Sequence, residues 1–249
     1  MGGRSGMAVV PAVLALLASC GLVARDTVPA VSGAFGSRPV ISIPRATPDS
    51  APRMTVLSLG RGRTTVPGDV VLADVEIRRW SDGLPYLSTY DAGQPVGVDL
   101  GSASRLWREA LVGRPAGSRV MLVGPASQVS GSAGAEIVVA VFDVLGGYPP
   151  DARLVGQDLT DLPGELAAPV TTLIGGSGPV VTRGCRIVVQ YAVISGHAVD
   201  RPRGPTAVVL APGAVPPGWV DALAGQRVGS RVAVRTPGAG YLIDVIDRL

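Results

Sequence analysis

The chain has 249 residues, of which 47% are hydrophobic and only 4% aromatic, so its length allows two ordinary domains with cores built mainly from Val, Leu, Ile and Ala. Its net charge is +3, and all 22 basic residues are arginines, scattered among 19 acids. No basic stripe exists to form an electrostatic footprint for nucleic acid, and a single histidine leaves no basis for a zinc site or a histidine-dependent triad.

In chain order, Arg4 precedes an apolar run from Met7 to Leu17, followed by the small residues Ala18 and Ser19 and then Cys20. This order is that of a signal peptide over residues 1–19. Leu17-Ala18-Ser19-Cys20 resembles a bacterial lipobox, which implies that Cys20 is lipidated and begins the mature chain. A plain secretory leader with an incidental cysteine is the alternative. A membrane span is not, because Ala8 to Ala24 contains Pro11 and falls short of the roughly 20 apolar residues needed. Acyl chains contributing about 0.8 kcal/mol per buried methylene would anchor the protein at the extracytoplasmic face of the cell membrane. Residues 20–50, rich in Pro, Gly and Ser, read as an extended tether in which VISI (40–43) pairs as an edge strand.

Strand composition follows in MTVLSL (54–59) and VVLADVEI (70–77), with Trp80 in a turn as an exposed hairpin aromatic. Trp107, Ala110 and Leu111 lie at i, i+3 and i+4 on one helical face, and Gly113 stops the helix. SRVMLV (118–123) and AVFDVL (140–145) complete a first unit over 51–147. A polar, proline-bearing linker is placed at 148–160. The second unit, 161–249, runs through VTTLI (170–174), IVVQYAVI (187–194), a helix from Trp219 to the stop at Gly225, SRVAVR (230–235) and YLIDVI (241–246). Cys185 alternates with Ile187, Val189 and Tyr191 on one strand face and reads as a small buried hydrophobe. The fold class is α+β: antiparallel strands with one short helix laid across them.

The two units repeat each other. WREALVGRPAGSRVML, from Trp107, and WVDALAGQRVGSRVAV, from Trp219, agree at eight of sixteen positions. Gly60, Gly62 and Gly68 fall on Gly176, Gly178 and Gly184, and Asp143 falls on Asp244. Matches in constant order at a spacing of roughly 100 residues describe a duplicated domain rather than a solenoid of 20–50-residue repeats.

The glycine-rich turn, the Gly-Asp-Val-Val strand, the helix W-x-x-A-L-x-G-x-x-x-G-S-R and the terminal F-D-V resemble the FKBP-type peptidyl-prolyl isomerases, over about Thr55–Leu145 and Thr172–Leu249. The leader, the lipobox and VSGAFG are similar to the two-domain lipoprotein form of that family. The resemblance implies two tandem FKBP-like domains, each a curved antiparallel sheet wrapped round one short helix, with the tryptophan as the floor of an apolar pocket. It implies an isomerase of X-Pro bonds in exported proteins, weak or degenerate, with no cofactor and no metal. The alternative is a non-catalytic module that holds unfolded or proline-bearing segments. A third reading is a structural lipoprotein. A monomer is expected, with exported or unfolded polypeptides as partners and the membrane reached through Cys20.

Carried over residue by residue, the resemblance gives Trp219, Tyr191 and Asp200 as the catalytic set, with Val208, Val215 and Ile243 around them. In the first unit Tyr86, Trp107 and Phe142 match pocket positions, while Leu87 and Val75 stand where the rim aspartate and strand tyrosine belong. Two further departures are Pro216, which has no N–H where the family holds the substrate carbonyl, and the short PGAG (237–240) in place of a long flap. The bland alternative is that both tryptophans are simply core. Asp69, Asp143 and Asp244 read as turn or strand-pairing residues without chemistry.

Overall fold

A computed structural model describes residues 27–130, 134–151, 154, 168–195, 198–199 and 203–249. The first part contains β1 (Ala30–Ser32), β2 (Val40–Ser42), β3 (Arg53–Ser58), β4 (Val70–Arg79), β5 (Pro85–Ser88), α1 (Thr89–Ala92), β6 (Val96–Asp99), α2 (Arg105–Leu111), β7 (Arg119–Pro125), α3 (Ala126–Val129) and β8 (Ile137–Tyr148). The second contains β9 (Val170–Ile174), β10 (Arg186–Ser195), β11 (Ala198–Val199), β12 (Arg203–Val209), α4 (Trp219–Leu223), β13 (Arg231–Arg235) and β14 (Gly240–Arg248). The architecture is α+β, mostly antiparallel sheet with few and short helices.

Two six-stranded sheets carry the same topology. The first is ordered β3-β7-β8-β4-β5 with β6 also on β4; the second is β9-β13-β14-β10-β11 with β12 also on β10. Even the bulges correspond, at Leu72/Ala73 against β8 and at Val188/Val189 against β14. The period of two explains the faces. Val71, Ala73, Val75 and Ile77 join Val120, Leu122, Phe142 and α2's Ala110 and Leu111 in one core. Met121, Val123, Val139 and Val141 point to the opposite face.

That opposite face corrects two expectations. Part of the stretch read as an extended tether is folded: β1 and β2 pair as a hairpin, not as an edge strand of the large sheet. Val31, Ile41 and Ile43 pack on the outer face beside Trp80 and Ile137, and so keep water from it. Trp80 is not an exposed aromatic. It is 8% exposed beneath the same segment, and its Nε1 donates to Ala46 O at 2.9 Å. The first unit also has α1 and α3 beside the one helix expected, and Tyr148, placed in the linker by composition, ends β8.

The repeated Gly-Ser-Arg has a physical explanation. Ser118 Oγ accepts the Gly60 N–H at 2.9 Å, and Ser230 Oγ accepts that of Gly176 at 3.0 Å. A Cβ on Gly60 would collide with the carbonyl of Ala116, and one on Gly176 with that of Val228, so the glycines are demanded by close backbone approach. Arg119 Nε and Nη2 donate to Asp143 at 2.6 and 2.7 Å, and Arg231 donates to Asp244 at 2.7 and 2.9 Å. Each pair is directly opposite in register and almost fully buried. Such bidentate pairs supply geometric specificity as well as energy.

The sheets meet through Leu72 and Tyr148 of the first and Val188 and Ala207 of the second, all buried. Arg186 Nη1 reaches Asp74 at 2.7 Å, and the Tyr148 hydroxyl donates to Asp247 at 2.9 Å. Burial, and then the charge of Asp247, push the Tyr148 hydroxyl well above its ordinary pKa of 10. A phenol whose folded-state pKa is raised contributes its full stability below pH 10, where both states are protonated. It loses that contribution as pH rises above 10, where the unfolded chain ionises first, at about 1.4 kcal/mol per pH unit. Urea unfolding midpoints should therefore fall above pH 10, and Tyr148→Phe should flatten the fall. An equally steep decline in the variant would assign it to other groups.

Candidate functional site

Trp107 is the third residue of α2 and Trp219 the first of α4, and each turns edge-on to an aromatic of the sheet. Trp107 meets Phe142 at 4.9 Å and 79°. Trp219 meets Tyr191 at 5.1 Å and 81°, and Tyr241 at 5.4 Å and 82°. These T-shaped contacts direct a positive ring edge at a negative face, the favourable arrangement for such rings.

In the second sheet Tyr191, Val208, Val215, Trp219 and Ile243 belong to one core cluster, so five of the six positions expected there are brought together. Asp200 lies outside the described residues. Trp219 is 1% exposed and Ile243 is fully buried, and Pro216, three residues before Trp219, has no N–H to offer. Tyr241 was not anticipated; its signal was its place one residue after PGAG, which puts it on the strand facing Tyr191's neighbour Val193. Cys185 is half-buried against the same cluster.

In the first sheet Tyr86 and Trp107 are half-buried against the core that contains Phe142 and Val75. A groove of about 360 Å³ opens beside Trp107, between β6, the segment entering α2, and α3. Val96, Val98 and Ala103 form its apolar wall, and Ser104 and Gln128 stand on its rim. Ser104 caps α2: its Oγ accepts from Trp107 N at 3.4 Å, the outer limit of a hydrogen bond. Ser104 is exposed and lines the groove, and its backbone N–H makes no hydrogen bond among the described residues. Ser102 Oγ and Ser130 Oγ are already engaged, with Asp99 and with Ala126 O. The sequence reading overlooked Ser104, although it occupies the same offset from Trp107 as Pro216 does from Trp219.

The connection at 126–136 begins as α3, whose Ala126 and Val129 are buried, and Val129 O accepts from Trp107 Nε1 at 2.5 Å. A larger hollow of about 460 Å³ lies on the far face, between residues 41–48 and the turn at 80–83. Its tryptophan, Trp80, has already committed its indole donor to Ala46 O. Asp143 accepts the Tyr90 hydroxyl at 3.0 Å and the Gly36 N–H at 2.8 Å besides pairing with Arg119. Burial and the Asp143 charge push Tyr90 up, while Asp143 holds the Arg119 guanidinium above its ordinary value. Burial pushes the Asp244 carboxyl up against the opposing pull of Arg231. These groups are satisfied structural pairs rather than acids or bases facing a cavity. Among the described residues no group of three His, Cys, Asp or Glu side chains is placed to hold a metal.

No family model matches the chain, and no curated protein does. Solved structures similar to part of it are FKBP-type isomerases. FkpA from Escherichia coli is 22% identical with a TM-score of 0.35, over 39% of this chain and 48% of that one. FKBP12 from Mycobacterium tuberculosis is 24% identical with a TM-score of 0.33, over 41% and 87%. A peptidyl-prolyl cis-trans isomerase from Pseudomonas syringae is 23% identical with a TM-score of 0.33, over 39% and 75%. The match thus spans about half the length of FkpA.

Proposed function

We propose that the chain is a lipid-anchored peptidyl-prolyl isomerase of FKBP type, built of two tandem FKBP-like domains, and that the reaction takes place in the groove beside Trp107. The observation that carries this reading is the open apolar groove beside Trp107, whose lining includes Ser104 with a backbone N–H that makes no hydrogen bond among the described residues. Rotation about an X-Pro bond needs no nucleophile and no metal. It needs relief of the double-bond character that gives the amide its barrier of about 18–20 kcal/mol. A groove that strips water from the X-Pro carbonyl lowers the weight of the charge-separated form and softens the bond. Ser104 N–H would hold the carbonyl that follows the proline, because donating to the rotating amide's own oxygen would strengthen its double bond. The indole of Trp107 would take the proline ring, and Val96, Val98 and Ala103 would exclude water. Binding the twisted amide better than the planar one is what makes this catalysis.

The reaction is assigned to this groove rather than to Tyr191, Asp200 and Trp219. Pro216 has no N–H to offer, and Trp219 is almost fully covered. Binding without turnover is the second reading, favoured for the second sheet by the same two observations. An isomerisation assay on the full chain, with a proline tetrapeptide, tests the first. Activity that is unchanged when the Trp107 groove is altered would overturn it.

Placement outside the membrane rests on the lipobox-like Leu17-Ala18-Ser19-Cys20, which precedes the described residues. Cys20→Ala should release the protein from the membrane fraction or leave an unprocessed precursor. A processed, membrane-bound Cys20→Ala protein would refute the anchor.

A further inference from the structure

The repeat aligns Trp107 with Trp219, and both make edge-on aromatic contacts, but they differ at one atom. Nε1 of Trp107 donates to Val129 O at 2.5 Å. Nε1 of Trp219 is buried and has no partner among the described residues. Buried donors are paired in the great majority of cases, so an orphan is a candidate for a missing ligand.

The cause lies in the connection between the last two strands. In the first sheet it runs through residues 126–136 and builds α3, which brings Val129 O over the indole. In the second it is the four-residue turn Thr236–Ala239, closed on itself by Thr236 N–H to Ala239 O at 2.9 Å and Thr236 Oγ1 to Ala239 O at 2.7 Å. Among the described residues that turn supplies no acceptor to Trp219 Nε1.

We propose that the second sheet binds an extended polypeptide whose main-chain carbonyl accepts from Trp219 Nε1, in the place that the chain's own α3 fills over Trp107. The first sheet also specifies the chemistry of the occupant. It is a neutral main-chain carbonyl carried by an apolar residue, since Val129 is fully buried beside the contact. Trp219 is 1% exposed, so binding requires the cover over its indole to part. No proline is required of the ligand, and the site does not depend on turnover beside Trp107.

The test uses the uniformly ¹⁵N-labelled full chain, whose three indole N–H signals are assigned by single Trp→Phe variants. The probe is a blocked hexapeptide with the sequence of residues 126–131, Ala-Ser-Gln-Val-Ser-Gly. The Trp219 indole signal should move downfield and exchange more slowly with solvent as the peptide is added, while that of Trp80, already bonded to Ala46 O, stays in place. Trp219→Phe should weaken binding about two- to tenfold, the effect of one neutral hydrogen bond. If that variant does not fold, a second decides: replacing residues 237–239 by the sequence of 126–136 should supply the carbonyl in cis and abolish peptide binding. A Trp219 signal that stays fixed at saturating peptide overturns the proposal, as does movement of the Trp107 signal alone or a graft that binds as well as the parent. Proline-tetrapeptide isomerisation in the same sample reads the Trp107 groove separately, so either site can fail without the other.

Discussion

Replacing Asp143 by Ala is expected to destabilise the full chain by about 3–5 kcal/mol, the cost of leaving a buried charge without its partner. Asp143 is fully buried and Arg119 nearly so, and their two hydrogen bonds are 2.6 and 2.7 Å long. The truncation would also strand the Tyr90 hydroxyl and the Gly36 N–H, both of which donate to the same carboxylate. Arg119 would keep its bonds to Gly33 O, Ala34 O and Ser37 O, but these are neutral acceptors and leave the charge uncompensated. Since those carbonyls lie in the loop joining β1 and β2, the hairpin should loosen before the sheet unfolds. Urea unfolding measures the first effect and hydrogen exchange at Gly36 the second. Arg119→Met with Asp143→Leu should recover most of the loss, because replacing a whole buried pair by apolar side chains is often neutral. A loss below about 1 kcal/mol in Asp143→Ala would show that the pair is not holding the hairpin.

This clamp marks the boundary of what was legible in the sequence. Strands with long period-two runs, such as β4, β8 and β10, were found, as were both helices, because Gly113 and Gly225 end them at φ of 73° and 90°. The repeat disclosed that Gly60, Ser118, Arg119 and Asp143 recur in order, but not that they bond to one another. Which arginine faces which aspartate depends on strand register, and here Arg119 lies opposite Asp143. The hairpin was missed for a related reason. Val31 and Ile41 are the single half-buried residues of three-residue strands, too short for any period, and their partners Met121, Val123 and Val139 are about a hundred residues away. Trp80 was misplaced with them, since the segment that buries it was the one read as a tether. At the site, aromatic positions were legible from the resemblance, whereas the N–H of Ser104 is a backbone group that no residue type advertises. The orphan Nε1 of Trp219 was legible only as a short loop, because its lost partner is a carbonyl in the other copy.

The remaining large effect concerns the groove itself. Trp107→Ala should abolish isomerase activity, since it removes the ring that would take the proline and opens the Phe142 edge beneath it to water. It should also destabilise, toward the lower end of the ~3–5 kcal/mol typical of buried aromatic truncation, because Trp107 is only half-buried. Val129 O loses its donor in the same change, so the folded fraction must be measured before activity is read. Ser104→Pro separates the two consequences. Ser104 has φ of −57°, which suits a proline ring, so the backbone can stay where it is while the N–H disappears. The variant reproduces in the first sheet what Pro216 is in the second. Loss of one neutral donor from a transition-state contact should lower kcat/KM about two- to tenfold with the unfolding midpoint nearly unchanged. Ser104→Ala keeps the N–H and removes only the weak cap to Trp107 N, so it should retain activity. Full activity in a folded Ser104→Pro protein would mean that the substrate carbonyl is not held there. Full activity in a folded Trp107→Ala protein would mean that the groove is not the site, and the repeated tryptophan would then serve packing alone.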